Sequence, residues 1–173
     1  GLSFEWGGFT FIRPDALAVA GNVCSVLSSP TNFLTLCNIT NPAAPVEYAP
    51  AYAMATAFAV AQVSVKAVAA IPNQIYIQNA QDDSPNPLAD QSRFGVYNTT
   101  VPTAVTQTGT VDLGIPTSYG ANGGCAVELG PSPYVFSLLG GDTTAVAGKL
   151  RVIDVSVPGA PTIAATVTIG TFT

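Results

Sequence analysis

Asn38-Ile39-Thr40-Asn41-Pro42-Ala43-Ala44-Pro45 returns as Asn98-Thr99-Thr100-Val101-Pro102-Thr103-Ala104-Val105, and again as Asp154-Val155-Ser156-Val157-Pro158-Gly159-Ala160-Pro161. The copies start about 56 to 60 residues apart, and a fixed period of that order marks a repeat architecture. The shared spacing, Asx-x-Ser/Thr-x-Pro, has a physical reading. An Asn or Asp side-chain oxygen accepts a hydrogen bond from the backbone two residues on. The Ser or Thr hydroxyl does the same more weakly. Proline then fixes φ and offers no donor, which ends the ladder at that point. Asn38 with Pro42, Asn98 with Pro102 and Asp154 with Pro158 are therefore read as three equivalent turns, each ending one strand and starting the next.

Outward from each turn, the flanking segments also align. Phe33–Cys37, Phe94–Tyr97 and Leu150–Ile153 are short apolar strands directly before it. A second strand precedes each of these (Gly21–Val26, Pro72–Ile77, Pro131–Phe136), and a third precedes that (Ala16–Val19, Ala67–Ile71, Cys125–Leu129). A fourth follows the turn: Val46–Tyr48, Thr106–Val111 and Thr162–Val167. The 173 residues are thus expected to form a single all-β repeat domain. Its repeats span approximately 14–53, 57–114 and 122–173, each a four-stranded antiparallel unit resembling a propeller blade.

The third repeat, from Cys125-Ala126-Val127 through Leu150-Arg151-Val152-Ile153-Asp154-Val155-Ser156-Val157-Pro158 to Pro161, resembles an LVIVD-type β-propeller repeat. The first repeat resembles it as well, and the second does so with a longer internal loop; together they cover Ala16 to Thr168. The resemblance implies four-stranded antiparallel blades in a secreted or surface-attached bacterial or archaeal protein, with no catalytic residues. Closed propellers typically have four to eight blades, so three imply an incomplete or three-bladed ring. Two chains completing a six-bladed ring is one solution, and a terminal strand lent to a neighbour is another. The flanking segments Leu2–Trp6 and Ile163–Phe172 are apolar and strand-like, which nominates Phe4, Trp6, Ile169 and Phe172 as assembly residues. The alternative is that both segments close the fold within one chain.

Composition points the same way. Hydrophobic residues make up 48% of the chain and charged residues 9%, against about 25% charged in an ordinary soluble domain. A hydroxyl-rich, charge-poor surface fits an extracellular protein or an assembled subunit. The net charge is −5, and the five cations (Arg13, Lys66, Arg93, Lys149, Arg151) are scattered. With no basic stripe to neutralise phosphates, neither nucleic acid nor an anionic membrane surface is an expected partner. Ala51 to Ile71 is about as long as a membrane span. Gln62 and Lys66 interrupt it and the repeat register places strands there, so no span is expected. The chain opens on Gly1 with no basic segment before an apolar run, as a processed chain or an excised fragment does.

Candidate chemistry is sparse. Counting outward from Pro30-Thr31 sets Cys24 and Cys37 on directly opposed strand positions, which predicts a disulfide between them; the alternative is two small apolar residues on a buried face. Cys125 has no evident partner. The absence of His removes Ser-His-Asp and Cys-His catalysis and Cys/His zinc sites. Asp82, Asp83 and Asp90 lie in one acidic insertion, a candidate Ca²⁺ or acid–base cluster that lacks the alternating ligands and Gly of an EF-hand loop. A solvated loop is the plainer reading, and no cofactor is implied. Gly120–Gly124 and Gly140–Asp142 read as turns rather than phosphate cradles. Asn38-Ile39-Thr40 and Asn98-Thr99-Thr100 are N-glycosylation sequons, making Asn38 and Asn98 candidate glycan sites, although Asx-turn chemistry alone accounts for both. Trp6, Tyr48, Tyr52, Tyr76, Tyr97 and Tyr134 are read as packing residues before a carbohydrate platform.

The expectation is a non-enzymatic structural subunit of an extracellular, filament-like homopolymer or surface assembly, joined to copies of itself by strand pairing and apolar contacts. The alternative is a secreted adhesion or binding module acting as a discrete particle through loops 79–92 and 115–124. Loss of assembly on deleting residues 1–10 supports the first; control of ligand recognition by loop 79–92 supports the second.

Overall fold

The computed structural model of the chain describes residues 5–6, 9–10, 14–28, 33–53, 64–80, 92–113, 125–126, 133–139 and 148–170. Among them every regular element is a strand. β1 (Glu5–Trp6) and β2 (Phe9–Thr10) pair with each other. Three four-stranded antiparallel meanders follow. The first is β3 (Pro14–Ala20), β4 (Val23–Ser28), β5 (Phe33–Asn38) and β6 (Val46–Ala53); the second is β7 (Ser64–Ile71), β8 (Gln74–Ala80), β9 (Ser92–Asn98) and β10 (Thr106–Asp112). The third is β11 (Cys125–Ala126), β12 (Tyr134–Leu139), β13 (Gly148–Asp154) and β14 (Thr162–Gly170). The Ala51 to Ile71 stretch begins in β6 and ends in β7, and no helix among the described residues is long and apolar enough to cross a membrane.

The three sheets share one register. Val23 pairs with Asn38, Gln74 with Asn98 and Tyr134 with Asp154, so each repeat turn leaves its sheet at the same place. Just beyond, the Ile39, Thr99 and Val155 N–H groups donate to the carbonyls of Asn22, Asn73 and Pro133 at 2.8, 2.9 and 3.0 Å. Each turn then closes on itself, Ala44 to the Asn41 carbonyl, Ala104 to Val101 and Ala160 to Val157. Asn73, between β7 and β8, adopts a φ of 67°, a left-handed conformation that Asn tolerates better than most residues.

Alternation along a strand gives each sheet two faces. We name one the leading face: Cys24, Val26, Thr35 and Cys37 in the first sheet; Ile75, Ile77 and Tyr97 in the second; Val135, Ser137 and Ile153 in the third. The other is the trailing face: Leu27, Leu34 and Leu36; Tyr76, Gln78, Phe94 and Val96; and Tyr134, Phe136, Leu150 and Val152.

Both core clusters join a trailing face to the next leading face. Leu27, Leu34 and Leu36 pack on Ala70, Ile75, Ile77 and Tyr97. Across this interface Tyr52 meets Tyr97 edge-on, ring centroids 6.0 Å apart. Tyr76, Phe94 and Val96 pack on Val135 and Ile153, with Leu113 and Val155 at the border. There the Ser137 hydroxyl donates to Gln78 Oε1 at 2.7 Å, so a buried polar pair is satisfied between sheets. At the centre the first strands lie side by side, β3 against β7 and β7 against β11. The result is a directional stack of three sheets; the described strands close no ring.

Candidate functional site

The repeat turns are built as their chemistry dictates. Asn38 Oδ1 accepts from the Thr40 N–H at 2.9 Å, Asn98 Oδ1 from Thr100 at 2.8 Å and Asp154 Oδ1 from Ser156 at 2.8 Å. Asn98 is exposed and Asn38 half-buried. The Asn98 turn also borders a shallow groove of about 120 Å³, lined by Asn73, Gln74, Asn98, Thr100, Thr108 and Pro158. In both sequons the Asx bond uses the carbonyl oxygen and leaves the amide nitrogen for other chemistry.

The third turn differs in being ionised. Hydrogen bonds from the Ser156 side chain and then its backbone N–H hold the Asp154 carboxyl below its ordinary value. A depressed carboxylate stabilises the fold above its unfolded pKa, and that contribution is lost as pH falls through the folded one. The third turn is therefore expected to loosen as the solution is acidified below about 3.8, the ordinary value, while the Asn38 and Asn98 turns are unaffected. Amide exchange at Ser156, compared with Thr40 and Thr100 along an acid titration, reads this directly. Asp154→Asn is expected to abolish the difference; acid dependence that survives it would assign the effect elsewhere.

Cys24 and Cys37 are directly opposed in β4 and β5, as the counting predicts. The predicted disulfide is not formed: both are free, buried thiols. Directly opposed strand positions hold Cβ atoms about 4.5–5.5 Å apart, wider than the roughly 3.8 Å mean of a disulfide. Their places in the other repeats are taken by Ile75 with Tyr97 and Val135 with Ile153, so here Cys serves as a small apolar residue. Burial, and then the charges of Cys24 and Glu47, push the Cys37 thiol up to about 11; burial raises Cys24 too. Neither is a thiolate at neutral pH, so neither is an activated nucleophile. Cys125 lies in β11 across from Ser137.

The aromatic residues divide. Tyr76 and Tyr97 are wholly buried between sheets and Tyr52 is half-buried against Tyr97, which is packing rather than a platform. Of the nominated assembly residues, Trp6 sits in β1 opposite Phe9, and Ile169 is exposed near the end of β14. Phe4 and Phe172 fall outside the described residues, as do Asp82, Asp83, Asp90, loop 115–124 and most of loop 79–92. Among the described residues no three His, Cys, Asp or Glu side chains form a metal-holding group.

Exposed large apolar side chains are spread over the strands that hold Val46, Val167 and Ile169, the repeat turns at Val101 and Val157, and the first sheet. On the leading face of the first sheet Leu17 is 61% and Val19 52% exposed and Phe33 is exposed, whereas Cys24, Thr35 and Cys37 on the same face are buried. On the trailing face of the third sheet Tyr134, Phe136, Leu150 and Val152 are half-buried and Val167 is exposed. Sequence reading placed assembly in the chain ends and did not single out these faces. Their signal was the alternation of Leu17 and Val19 with Ala16 and Ala18, apolar on both sides of one strand, which a strand facing water on one side does not show. A comparison with protein-family models finds no match, and a search of curated proteins likewise finds none.

Proposed function

We propose that this chain is a non-enzymatic structural subunit of an extracellular, filament-like homopolymer or surface assembly, its three sheets acting as propeller-like blades of the LVIVD type. The observation that carries the reading is that large apolar side chains stand exposed on both end sheets of a directional stack, Leu17, Val19 and Phe33 on the first and Val167 and Ile169 on the third. Exposed apolar area of this kind on a repeat array calls for a cap or a partner. A chain with 9% charged residues has little to keep such surfaces apart. The lack of any His and the protonated state of Cys24 and Cys37 support a role without turnover. Asn38 and Asn98, presented on turns, are the proposed glycan sites, and a mass loss on enzymatic deglycosylation of the native protein tests them.

Negative-stain electron microscopy of native, undenatured material tests the assembly. Regular filaments or extended arrays are the expected result. Discrete particles of one chain at every concentration overturn it.

A further inference from the structure

The two sequon turns share a backbone and differ in what stands beside them. Asn38 and Asn98 hold the same repeat position, and each accepts from the N–H two residues on through Oδ1, at 2.9 and 2.8 Å. Asn98 is exposed, whereas Asn38 is half-buried. The strand partner of Asn38 is Val23, which packs against the first core cluster. The strand partner of Asn98 is Gln74, a carboxamide. Its Oε1 accepts from the Tyr76 hydroxyl at 2.9 Å, so its NH₂ is the donating end. Thr108, at the bulge of β10, has no counterpart in β6, where Glu47 and Tyr48 pair with Cys37 and Leu36 without a break. Asn73, Gln74, Thr100 and Thr108 then line the groove of about 120 Å³ together with Asn98 itself and Pro158 of the third turn. We propose that Asn98, and not Asn38, carries the N-linked glycan of this chain, and that the first sugar of that glycan lies in this groove. This rests on the glycan reading above and names which sequon is used and what receives the sugar.

The lining suits a neutral polyhydroxy ring. It holds carboxamides and hydroxyls, which both donate and accept, with Pro158 as an apolar wall and no charged side chain. The attachment point is also fixed in advance. The Thr99 N–H donates to the Asn73 carbonyl at 2.9 Å, and Ala104 closes the turn on Val101 at 2.8 Å. A sugar joined to a turn already held in this way loses little further freedom on settling beside it. The modification is a substitution at the anomeric carbon of a sugar activated as a diphosphate ester, the donor that a glycosyltransferase brings. The Asn98 Nδ2–C1 bond forms as the bond from C1 to the diphosphate oxygen breaks. The diphosphate leaves with the electron pair, one Nδ2 proton passes to a base of the transferase, and nothing is oxidised or reduced. Throughout, Oδ1 keeps its bond to the Thr100 N–H, so the turn survives modification.

The test compares Asn38→Asp and Asn98→Asp with the wild type, all made as full chains in the organism that produces the protein. Aspartate keeps the turn, since Asp154 makes the same bond from the same position in the third repeat, and it removes only the amide nitrogen that the sugar needs. Intact mass is measured before and after enzymatic deglycosylation. Asn98→Asp is expected to lose the whole glycan mass of the wild type, and Asn38→Asp to lose none. Loss from Asn38→Asp, in whole or in part, overturns the assignment and leaves the glycan reading standing. A wild type whose mass does not fall on deglycosylation overturns both. The seat is read separately, by nuclear Overhauser contacts in the glycosylated wild type. Contacts from the first sugar to the Thr108 methyl group and the Pro158 ring are expected. A sugar on Asn98 with no contact to either overturns the groove as its seat.

Discussion

Phe94→Ala is expected to destabilise the unassembled chain by about 3–5 kcal/mol and Leu34→Ala by about 2–5 kcal/mol, whereas Leu150→Ala costs less than half as much. The three residues hold one position in three repeats, each pairing in register with the strand before it: Leu34 with Leu27, Phe94 with Gln78, Leu150 with Leu138. Chemistry and strand environment are therefore nearly constant, and what varies is the neighbouring sheet. Leu34 faces Ile75, Ile77 and Tyr97, and Phe94 faces Val135 and Ile153 while stacking on Tyr76 with ring centroids 6.0 Å apart. Truncating either leaves a cavity that two packed sheets fill only in part, so a cavity cost adds to the lost transfer energy. Around Leu150 water already reaches the side chain, and no comparable cavity forms. Urea unfolding of dilute protein gives the three losses as midpoint shifts. Equal losses would mean that the third trailing face is covered within one chain.

The parts of this architecture legible in the sequence are those encoded over a few residues. The Asx-x-Ser/Thr-x-Pro turn is a local device. Asn38, Asn98 and Asp154 make the predicted bond because each donor lies two residues away on the same short segment. Strand register follows from counting out of those turns, and so the opposition of Cys24 and Cys37 was readable. Their bonding state was not, because it depends on a separation between Cβ atoms that register alone does not fix. Which face of a strand meets which sheet was also hidden. In β3, Leu17 and Val19 face outward while Ala16 and Ala18 line the first internal interface, and hydropathy ranks the outward pair as the stronger core candidates. Apolar chain ends are conspicuous in a sequence, so assembly was assigned to Phe4, Trp6, Ile169 and Phe172. An apolar face spread over four strands is scattered across some 40 residues, as from Pro14 to Ala53, and becomes visible only when the strands are laid side by side.

Gly109 carries the second large effect, and its reason is backbone proximity. β10 bulges at Thr108, whose hydroxyl donates to the Val96 carbonyl at 3.1 Å and steadies the irregularity. The next residue, Gly109, then passes under the third repeat turn. A Cβ there would collide with the Pro158 carbonyl oxygen, and would lie 2.7 Å from Pro161 Cδ and 3.0 Å from the Gly159 carbonyl carbon. None of these is the tip of a flexible side chain. All three belong to the backbone or a proline ring, held by the Asp154 turn and its Ala160-to-Val157 hydrogen bond. Gly109→Ala must therefore lift the turn from the second sheet, at a cost of about 1–3 kcal/mol, and Gly109→Val more. For a chain of this length that is a fall in Tm of about 2–4 °C per kcal/mol. Gly159→Ala is the control: the nearest atom to its Cβ is the Thr108 carbonyl oxygen at 3.7 Å, ordinary contact, and Ala43 already stands at the same place in the first turn. Ala165→Val, at the Gly109 position of the third sheet, is expected to change the stability of the chain by no more than about 0.5 kcal/mol, since Ala165 is exposed. An unchanged melting temperature for Gly109→Ala would show that the turn does not rest on β10.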